Sequence, residues 1–166
     1  MPSKHIPQLG RDRFYFLTLT VRHWYYIFDR CQRWNILTDS LNHCIKNKNV
    51  KVWAYVFMLN HIHLIINAPD VIGFLRDFKR HTTRELKKNM QTNEPLVAQL
   101  FFDKDKNFSV WKKTNMPIML ETEKVFHQKW RYIENNPVKK EYVTSSDHWL
   151  HSSAHPQCPV KVLRNI

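Results

Sequence analysis

The sequence predicts an α+β protein with a ferredoxin-like fold: a split βαβ sandwich with one central antiparallel sheet and an additional C-terminal helix. The main observation is the order of hydrophobic patterns along the 166 residues, which runs strand, helix, strand, strand, helix, strand. The second is that the dipeptide Leu59-Asn60 separates the two central strands, which is the length of a hairpin turn. Together these features favour a sheet of antiparallel neighbours.

The first half of the chain contains the first strand, the first helix and the central hairpin. Residues 13–22 alternate and are rich in aromatic and β-branched residues, which predicts a strand. Residues 30–49 carry apolar residues at helical spacing and predict a helix. Residues 50–58 and 61–68 predict the hairpin strands, and Asn60 suits the turn because asparagine tolerates a positive φ.

The second half begins with a long amphipathic helix, predicted over residues 71–90. Residues 91–108 are polar and irregular apart from one apolar run, and they predict an excursion over the surface. Residues 110–120 predict a poorer strand, in which Pro117 indicates an edge position or a break. With this strand the βαββαβ order is complete.

The last predicted helix covers residues 122–136, with a threonine cap, acids in the first turn and an end before Pro137. Residues 144–166 are rich in Ser, His and Pro and predict a surface tail. The sequence contains no repeat and no convincing linker. We therefore expect a single domain over residues 1–166, with its core at about 12–143.

Charge is the strongest signal in the composition. Lysine and arginine number 26 against 14 acidic residues, which gives a net charge of +12 with neutral histidines. An excess of this size on a small domain implies a polyanionic partner, most often nucleic acid. The sequence has two glycines and no G-x-G-x-x-G or Walker pattern, which excludes a glycine-rich nucleotide loop.

Other features of the composition predict a location. The apolar runs are shorter than the roughly 20 residues that span a bilayer, so no membrane partner is expected. The first residues lack the apolar segment of a signal peptide. The three cysteines are odd in number and far apart, which argues against a disulfide framework. We therefore expect a cytoplasmic protein.

Two histidines interrupt the apolar segment LNHIHLIIN (59–67). Because side chains alternate along a strand, His61 and His63 are predicted to share one face, opposite Ile62 and Leu64. Two imidazoles so placed could chelate one divalent ion, or they could cap the sheet edge and bond to carbonyl groups. Two ligands are too few for a metal site, so both interpretations remain open at this point.

The last predicted helix offers further polar side chains beside its apolar stripe of Phe126, Trp130 and Ile133. Tyr132 and Asn136 lie one turn apart on a neighbouring polar face. Tyr132 could be a functional residue or an interfacial tyrosine with a hydrated hydroxyl. Asn136 could be a ligand or a helix-end residue held by backbone hydrogen bonds.

The helix predicted over residues 71–90 carries a basic stripe, in which arginine or lysine recurs every four residues. Such a stripe would contact phosphates without reading sequence. The alternative is a solvated helix face, although few acids are present. The candidate DNA-binding residues are Arg76, Lys79, Arg80, Arg84, Lys87, Lys88 and, on the last helix, Lys129.

Two further groups of residues leave alternatives open. The aromatic run Trp24, Tyr25 and Tyr26 could stack on unpaired bases or pack in the core. The tail contains a histidine and cysteine cluster that could hold zinc or lie on the surface. Its members are His148, His151, His155 and Cys158.

Two segments together resemble the HUH single-tyrosine transposases: LNHIHLI (59–65) and, about seventy residues later, RYIENNPVKKEYV (131–143). Within that superfamily the segment YIENNPV is most similar to the REP-associated tyrosine transposases and the IS200-like transposases. The resemblance covers nearly the whole chain, with two departures. Leu59 replaces the proline usual before Asn-His, and WKKTNMPIML (111–120) lacks the aromatic and arginine residues common after that tryptophan.

The resemblance implies a metal-dependent endonuclease and strand transferase that acts on single-stranded or hairpin DNA through a 5′-phosphotyrosine intermediate. It implies that His61 and His63 bind a divalent metal ion, Mg²⁺ or Mn²⁺. Asn136 corresponds to the position of a third, amide-oxygen ligand, and Tyr132 corresponds to the nucleophile. The family includes dimers and monomers, so a homodimer is one expectation and a monomer the other. The alternative function is a non-catalytic, domesticated nucleic-acid-binding protein on the same fold.

Overall fold

An antiparallel sheet forms the centre of the protein in this computed structural model, which describes residues 13–114 and 116–164. Its strands in the described ranges are β1 (Tyr15–Thr20), β2 (Lys51–Phe57), β3 (His61–Asn67) and β4 (Ile118–Met119). Their order in the sheet is β2-β3-β1-β4, so β1 and β3 form the central pair. This is the strand order of the ferredoxin-like arrangement, and the predicted α+β fold is confirmed.

The α-helices are α1 (Arg33–Asn47), α2 (Val71–Asn93), α3 (Pro95–Gln99) and α4 (Glu123–Lys139). Short 3-10 helices cover Arg22–Trp24 and Ser146–His148. Within the described ranges, no helix combines the length and apolar character that a bilayer crossing requires.

Strand alternation divides the protein into two cores, one on each face of the sheet. Leu17 of β1 and Leu64 of β3 pack in the first core with the buried faces of α1 and α2. Phe16 of β1 and Ile65 of β3 pack in the second core with Phe126 of α4. The sheet therefore separates α1 and α2 from α4, and any site on the α4 face is remote from α2.

The last helix does not end where its sequence predicts. The pattern predicts an end before Pro137, whereas α4 continues through Pro137 to Lys139. A proline removes one backbone donor from a helix, and here that loss falls in the final turn, where it affects few hydrogen bonds. Pro137 and the preceding Asn136 are buried, so their packing offsets the loss.

The segment before α4 also differs from its prediction. Residues 110–120 are predicted as a strand, but β4 is two residues long and begins after Pro117, which cannot donate to the ladder. Residues 91–108 are predicted as irregular, but they contain the end of α2 and the whole of α3. Helix α3 begins at Pro95, a residue type favoured in the first turn of a helix.

The C-terminal segment covers the free edge of β2. The backbone N–H of Phe57 donates to the carbonyl oxygen of His151 at 2.8 Å, and that of Ser153 donates to Tyr55 at 2.9 Å. Residues 144–164 are therefore more than the surface tail that the sequence predicts over residues 144–166. Their pairing with β2 satisfies edge groups that would otherwise be open to another chain.

A buried arginine connects α1 with the end of α2. Arg33 is fully buried, and its Nη2 lies 2.6 Å from Oε2 of Glu94. Its Nε donates to Oδ1 of Asn89 at 2.8 Å, and its Nη1 donates to the carbonyl oxygen of Ile27 at 3.1 Å. Burial acts to raise the pKa of Glu94, but hydrogen bonds from Arg33 and Arg30 outweigh it and hold that pKa below its ordinary value.

The substitution Glu94→Ala should leave the buried guanidinium of Arg33 without its counter-charge. We expect the free energy of unfolding to fall by about 3 kcal/mol, because an unpaired buried charge is strongly destabilising. Urea denaturation followed by circular dichroism measures this. The control is Asp29→Ala, which removes an exposed partner of Arg30 and should cost less than about 1 kcal/mol. Equal losses in the two variants would contradict the structural role of Arg33.

Candidate active site

His63 lies in β3 with its imidazole between the sheet and α4. It faces Thr18 of β1 in the strand register, and Oγ1 of Thr18 lies 2.8 Å from its Nδ1. The ring of Phe16 stacks against the imidazole, with 5.4 Å between the ring centroids. Because Thr18 engages Nδ1, the nitrogen that can face another partner is Nε2.

His61 lies on the same face of β3, with 4.9 Å between its ring centroid and that of His63. Its Nδ1 lies 2.7 Å from Oδ1 of Asn60, while Nδ2 of Asn60 donates to the carbonyl oxygen of Trp24 at 3.0 Å. Since the nitrogen of Asn60 is committed to Trp24, its oxygen accepts from His61. The proton of His61 is therefore on Nδ1, and Nε2 keeps its lone pair.

Both imidazoles are held in the neutral form. Burial, followed by the charge of Lys140, lowers the pKa of His61 to about 4, although the neighbouring side chain of Asn136 acts to raise that pKa. Burial, followed by His61 and Lys129, lowers the pKa of His63 to about 3. A neutral imidazole is the form that binds a cation, so both side chains are ready to act as ligands.

Helix α4 places Tyr132 across from the histidines. The ring centroid of Tyr132 lies 5.2 Å from that of His63 and 6.0 Å from that of Phe16. The Nζ atoms of Lys129 and Lys139 lie 5.5 Å and 5.6 Å from the centroid of the tyrosine ring. Tyr132 is 36% exposed, so a ligand can reach it from solvent.

Asn136 completes the cluster one helical turn beyond Tyr132. It is buried, and its Oδ1 has no hydrogen-bond partner, although it neighbours His61. Buried oxygens without a partner are rare and call for a physical explanation. The structure therefore brings His61, His63, Tyr132 and Asn136 together.

Two residues of the site were outside the sequence prediction. Thr18 and Asn60 orient the imidazoles through their Nδ1 atoms. The sequence feature that could have indicated Thr18 is its position in β1, where a polar residue among apolar ones shares a face with Phe16. Asn60 was assigned to the turn between the strands, and its contacts with His61 and Trp24 depend on a segment distant in sequence.

The predicted basic residues do not all lie near this cluster. Lys129 lies beside Tyr132, whereas α2 lies on the opposite side of the sheet. The α2 stripe is also partly neutralised, because Arg76 and Arg80 pair with Asp77 and because Arg84 and Lys88 pair with Glu85.

The remaining two lysines of the α2 prediction have other contacts. Lys79 donates to the carbonyl oxygen of Lys112 at 3.1 Å, and the Nζ of Lys87 lies over the rings of Phe102 and Phe108. Lys139, which the sequence analysis did not select, lies on the α4 side of the sheet with its Nζ 5.6 Å from the ring centroid of Tyr132.

The C-terminal histidines do not form a metal site. In the described part of the chain, no group of three or more His, Cys, Asp or Glu side chains is arranged to hold a metal ion. His151 instead stacks on Trp34, with 4.2 Å between centroids, and the sulfur of Cys158 contacts the carbonyl oxygen of Val160. The interpretation of His148, His151, His155 and Cys158 as a zinc site is therefore wrong, because the described structure does not bring them together as metal ligands. A metal site at the α4 face would need the amide oxygen of Asn136 in addition to the imidazoles of His61 and His63.

Comparison with known proteins identifies the family. The family model described as "Transposase IS200 like" matches residues 20–136, which is most of the chain. The chain therefore belongs to the IS200-like transposase family, and the predicted resemblance to the HUH single-tyrosine transposases is confirmed. No curated protein matches the sequence.

A solved structure supports the fold. A REP-associated tyrosine transposase bound to a REP hairpin superimposes with a TM-score of 0.67 at 18% identity, over 86% of this chain and 77% of that one. At this identity the match shows a shared fold. A candidate transposase from Deinococcus radiodurans gives a TM-score of 0.47 at 17% identity, over 80% of this chain and 97% of that one.

The neutral state of the histidines can be measured by NMR titration of the metal-free protein. We expect His61 and His63 to titrate with pKa values of about 4 and about 3, whereas histidine in a model peptide titrates at about 6.5. The pKa of each histidine is lower in the folded protein than in the unfolded one. Their contribution to the free energy of unfolding is therefore fully present above the unfolded pKa and is lost as the pH falls towards 4.

A charge variant provides the control for this titration. Lys129→Gln should raise the pKa of His63, because the ammonium group of Lys129 disfavours the imidazolium. Lys124→Gln removes an exposed charge from the first turn of the same helix and should leave His63 unchanged. Midpoints near 6.5 for both histidines would contradict their burial.

Proposed function

We propose that this IS200-like transposase cuts and rejoins single-stranded or hairpin DNA in a metal-dependent reaction in which Tyr132 is the nucleophile. The observation that carries the proposal is the position of Tyr132, whose ring lies 5.2 Å from that of His63. His61 and Asn136 lie beside this pair, so a phenol faces two neutral imidazoles and a buried amide oxygen. These groups suit phosphodiester cleavage by a tyrosine.

The donor set fits a divalent metal ion. Oδ1 of Asn136 is buried without a hydrogen-bond partner, and the Nε2 atoms of His61 and His63 are the nitrogens left by Asn60 and Thr18. These three atoms would hold Mg²⁺ or Mn²⁺, since a mixed nitrogen and oxygen set is compatible with both ions. When bound, the ion would supply positive charge to an oxygen of the scissile phosphate.

Tyr132 would attack the phosphorus of the scissile phosphodiester. The bond from its hydroxyl oxygen to phosphorus forms as the bond from phosphorus to the 3′ oxygen breaks. The hydroxyl proton is lost to solvent, and the 3′ oxygen takes up a proton. The products are a 5′-phosphotyrosine and a free 3′-hydroxyl group. Attack by a 3′-hydroxyl group on the adduct joins strands, so the reaction needs no nucleotide cofactor.

Lysines at the rim of the site would stabilise the phosphate. The ammonium groups of Lys129 and Lys139 flank the ring of Tyr132, within 6 Å of its centroid. Positive groups fixed at this position neutralise charge on the non-bridging oxygens as the tyrosine attacks. Phe16 supports the arrangement from below, because it contacts both His63 and Tyr132.

DNA hairpins are the substrate class that the comparisons favour. The REP-associated tyrosine transposase of the same fold is bound to a REP hairpin, and the net charge of +12 on this chain suits a polyanion. The four candidate site residues come from one chain, so a monomer would carry a complete site in cis. The α2 residues would contact DNA across the sheet, away from the scissile phosphate.

A covalent adduct tests the nucleophile. Incubation with Mn²⁺ and hairpin-bearing single-stranded oligonucleotides should give a protein–DNA adduct that resists denaturing electrophoresis. Tyr132→Phe should reduce adduct formation about 1000-fold or more, because no other group replaces the nucleophile. The matched control is Tyr15→Phe at the far end of β1, which should retain the adduct.

Two results would contradict this assignment. An adduct that persists in Tyr132→Phe would exclude Tyr132 as the nucleophile. Salt-sensitive DNA binding without an adduct at any metal concentration would instead support a non-catalytic nucleic-acid-binding protein.

Metal binding is tested separately from activity. Asn136→Leu removes an oxygen that has no hydrogen-bond partner in the metal-free protein, so the free energy of unfolding should change by less than about 1 kcal/mol. Mn²⁺ affinity, measured by calorimetry, should fall at least about tenfold. His43→Ala, at an exposed histidine of α1, should leave the affinity unchanged. Unchanged Mn²⁺ affinity in Asn136→Leu would contradict its role as a ligand.

A further inference from the structure

An aromatic cavity of about 520 Å³ adjoins the candidate active site. Its volume lies within the range of small-molecule sites in proteins. One wall is His61, so the cavity opens beside the proposed scissile phosphate. We refer to it as the aromatic cavity, and its lining residues are Trp24, Tyr25, Tyr26, Asn60, His61, Lys140 and Tyr142.

The rings of this cavity are unusually open to solvent. Trp24 is 58% exposed, Tyr26 is 52% exposed and Tyr142 is 38% exposed. These rings come from two distant segments, the loop after β1 and the residues after α4, and both segments converge at His61. Large aromatic side chains gathered in one concave exposed surface are typical of ligand-binding sites.

The ring positions are fixed by contacts with the rest of the protein. Tyr142 stacks on Trp149, with 5.6 Å between centroids and an angle of 28°. Burial, together with a hydrogen bond to Tyr26, raises the pKa of Tyr142 to about 12. The Nζ of Lys112 lies 3.7 Å from the centroid of Trp24, which places a positive charge on one face of the indole.

The loop that carries Trp24 adopts a costly backbone conformation. His23 has φ of 59° and Trp24 has φ of 60°, in the left-handed region that residues with a side chain rarely adopt. Hydrogen bonds sustain it, because the N–H of Trp24 donates to the carbonyl oxygen of Val21 and its own carbonyl accepts from Asn60. Strain of this kind is retained at functional sites when the surrounding structure enforces it.

We propose that the aromatic cavity binds one unpaired base next to the phosphate that Tyr132 cleaves. This inference rests on the proposed function, because it takes the substrate to be single-stranded at that point. Aromatic rings bind bases of any sequence through their faces, and an adjacent ammonium group such as that of Lys140 binds the backbone.

A base suits the cavity better than an apolar protein segment does. The wall at His61 is continuous with the phosphate site, and the rim carries the positive charges of Lys140 and Lys112. A second cavity of about 510 Å³ lies beyond Trp24 and is lined by Arg22, His23, Lys112 and Lys113 among others. Basic side chains there would contact the next phosphates of an extended strand.

The experiment measures binding without chemistry. Tyr132→Phe in the full chain serves as the background, and a hairpin oligonucleotide with a single-stranded flank serves as the probe, in fluorescence anisotropy. We expect Trp24→Ala and Tyr26→Leu each to weaken binding by about 5- to 100-fold, because one stacked base is lost. Tyr26→Phe and Trp24→Phe keep a ring and should bind within about threefold of the background protein. Ile72→Ala removes an exposed apolar side chain of α2 and should have no effect.

An abasic scan identifies the base. Each position of the single-stranded flank is replaced in turn by an abasic nucleotide. At one position, next to the cleaved phosphate, the difference in DNA affinity between Trp24→Ala and the background protein should disappear. Without the base, neither complex contains the stack of a base on the Trp24 ring. If the difference persists at every position, the cavity does not bind a base and the inference is wrong.

The same data separate this inference from the proposed function. If the abasic scan shows the effect but the protein with Tyr132 intact forms no adduct, base binding in the aromatic cavity is supported and the proposed cleavage reaction is contradicted. An adduct without any abasic effect would support cleavage and overturn the cavity. If circular dichroism shows that Trp24→Ala does not fold, the comparison of Tyr26→Leu with Tyr26→Phe tests the inference instead.

Discussion

The pairing of β1 with β3 is the constraint on which the candidate site depends. In this register Thr18 faces His63, and alternation places Leu17 and Leu64 in the core beneath α1 and α2. A shift by one residue would move His63 into that apolar core and the leucines onto the α4 face. Apolar burial therefore decides which way the imidazoles point. The polar site exists because the opposite face of the same strands is well packed.

Helix α4 converts this polar face into a site by covering part of it. Burial under the helix keeps His61 and His63 neutral, while the charges of Lys129 and Lys139 remain at the rim. If α4 ended before Pro137, as the sequence predicts, Lys139 would not be fixed beside the tyrosine ring. The continuation of the helix through Pro137 thus contributes a charge to the site as well as packing to the core.

Periodicity made the fold and the relative placement of the principal candidate site residues predictable. Period-2 alternation placed His61 and His63 on one face, and helical spacing placed Tyr132 and Asn136 one turn apart, since both patterns are local. The roles of Thr18 and Asn60 were not predictable, because they depend on which strand or loop lies next to β3. Long-range contacts also explain the other differences. The basic stripe of α2 is clear in the sequence, but its side of the sheet depends on the topology. The C-terminal segment looks like a polar tail, but its backbone pairs with β2.

Asn60 shows how the two proposed sites depend on each other. Its side-chain oxygen accepts from Nδ1 of His61, and its side-chain nitrogen donates to the carbonyl oxygen of Trp24. The first hydrogen bond fixes which nitrogen of His61 can face a metal ion. The second holds the residue whose ring lines the aromatic cavity, in a backbone conformation that needs support. One buried amide therefore orients both a proposed ligand and a proposed base-stacking ring. A substrate base that moves Trp24 would change the hydrogen bonding of Asn60, and through it the orientation of His61.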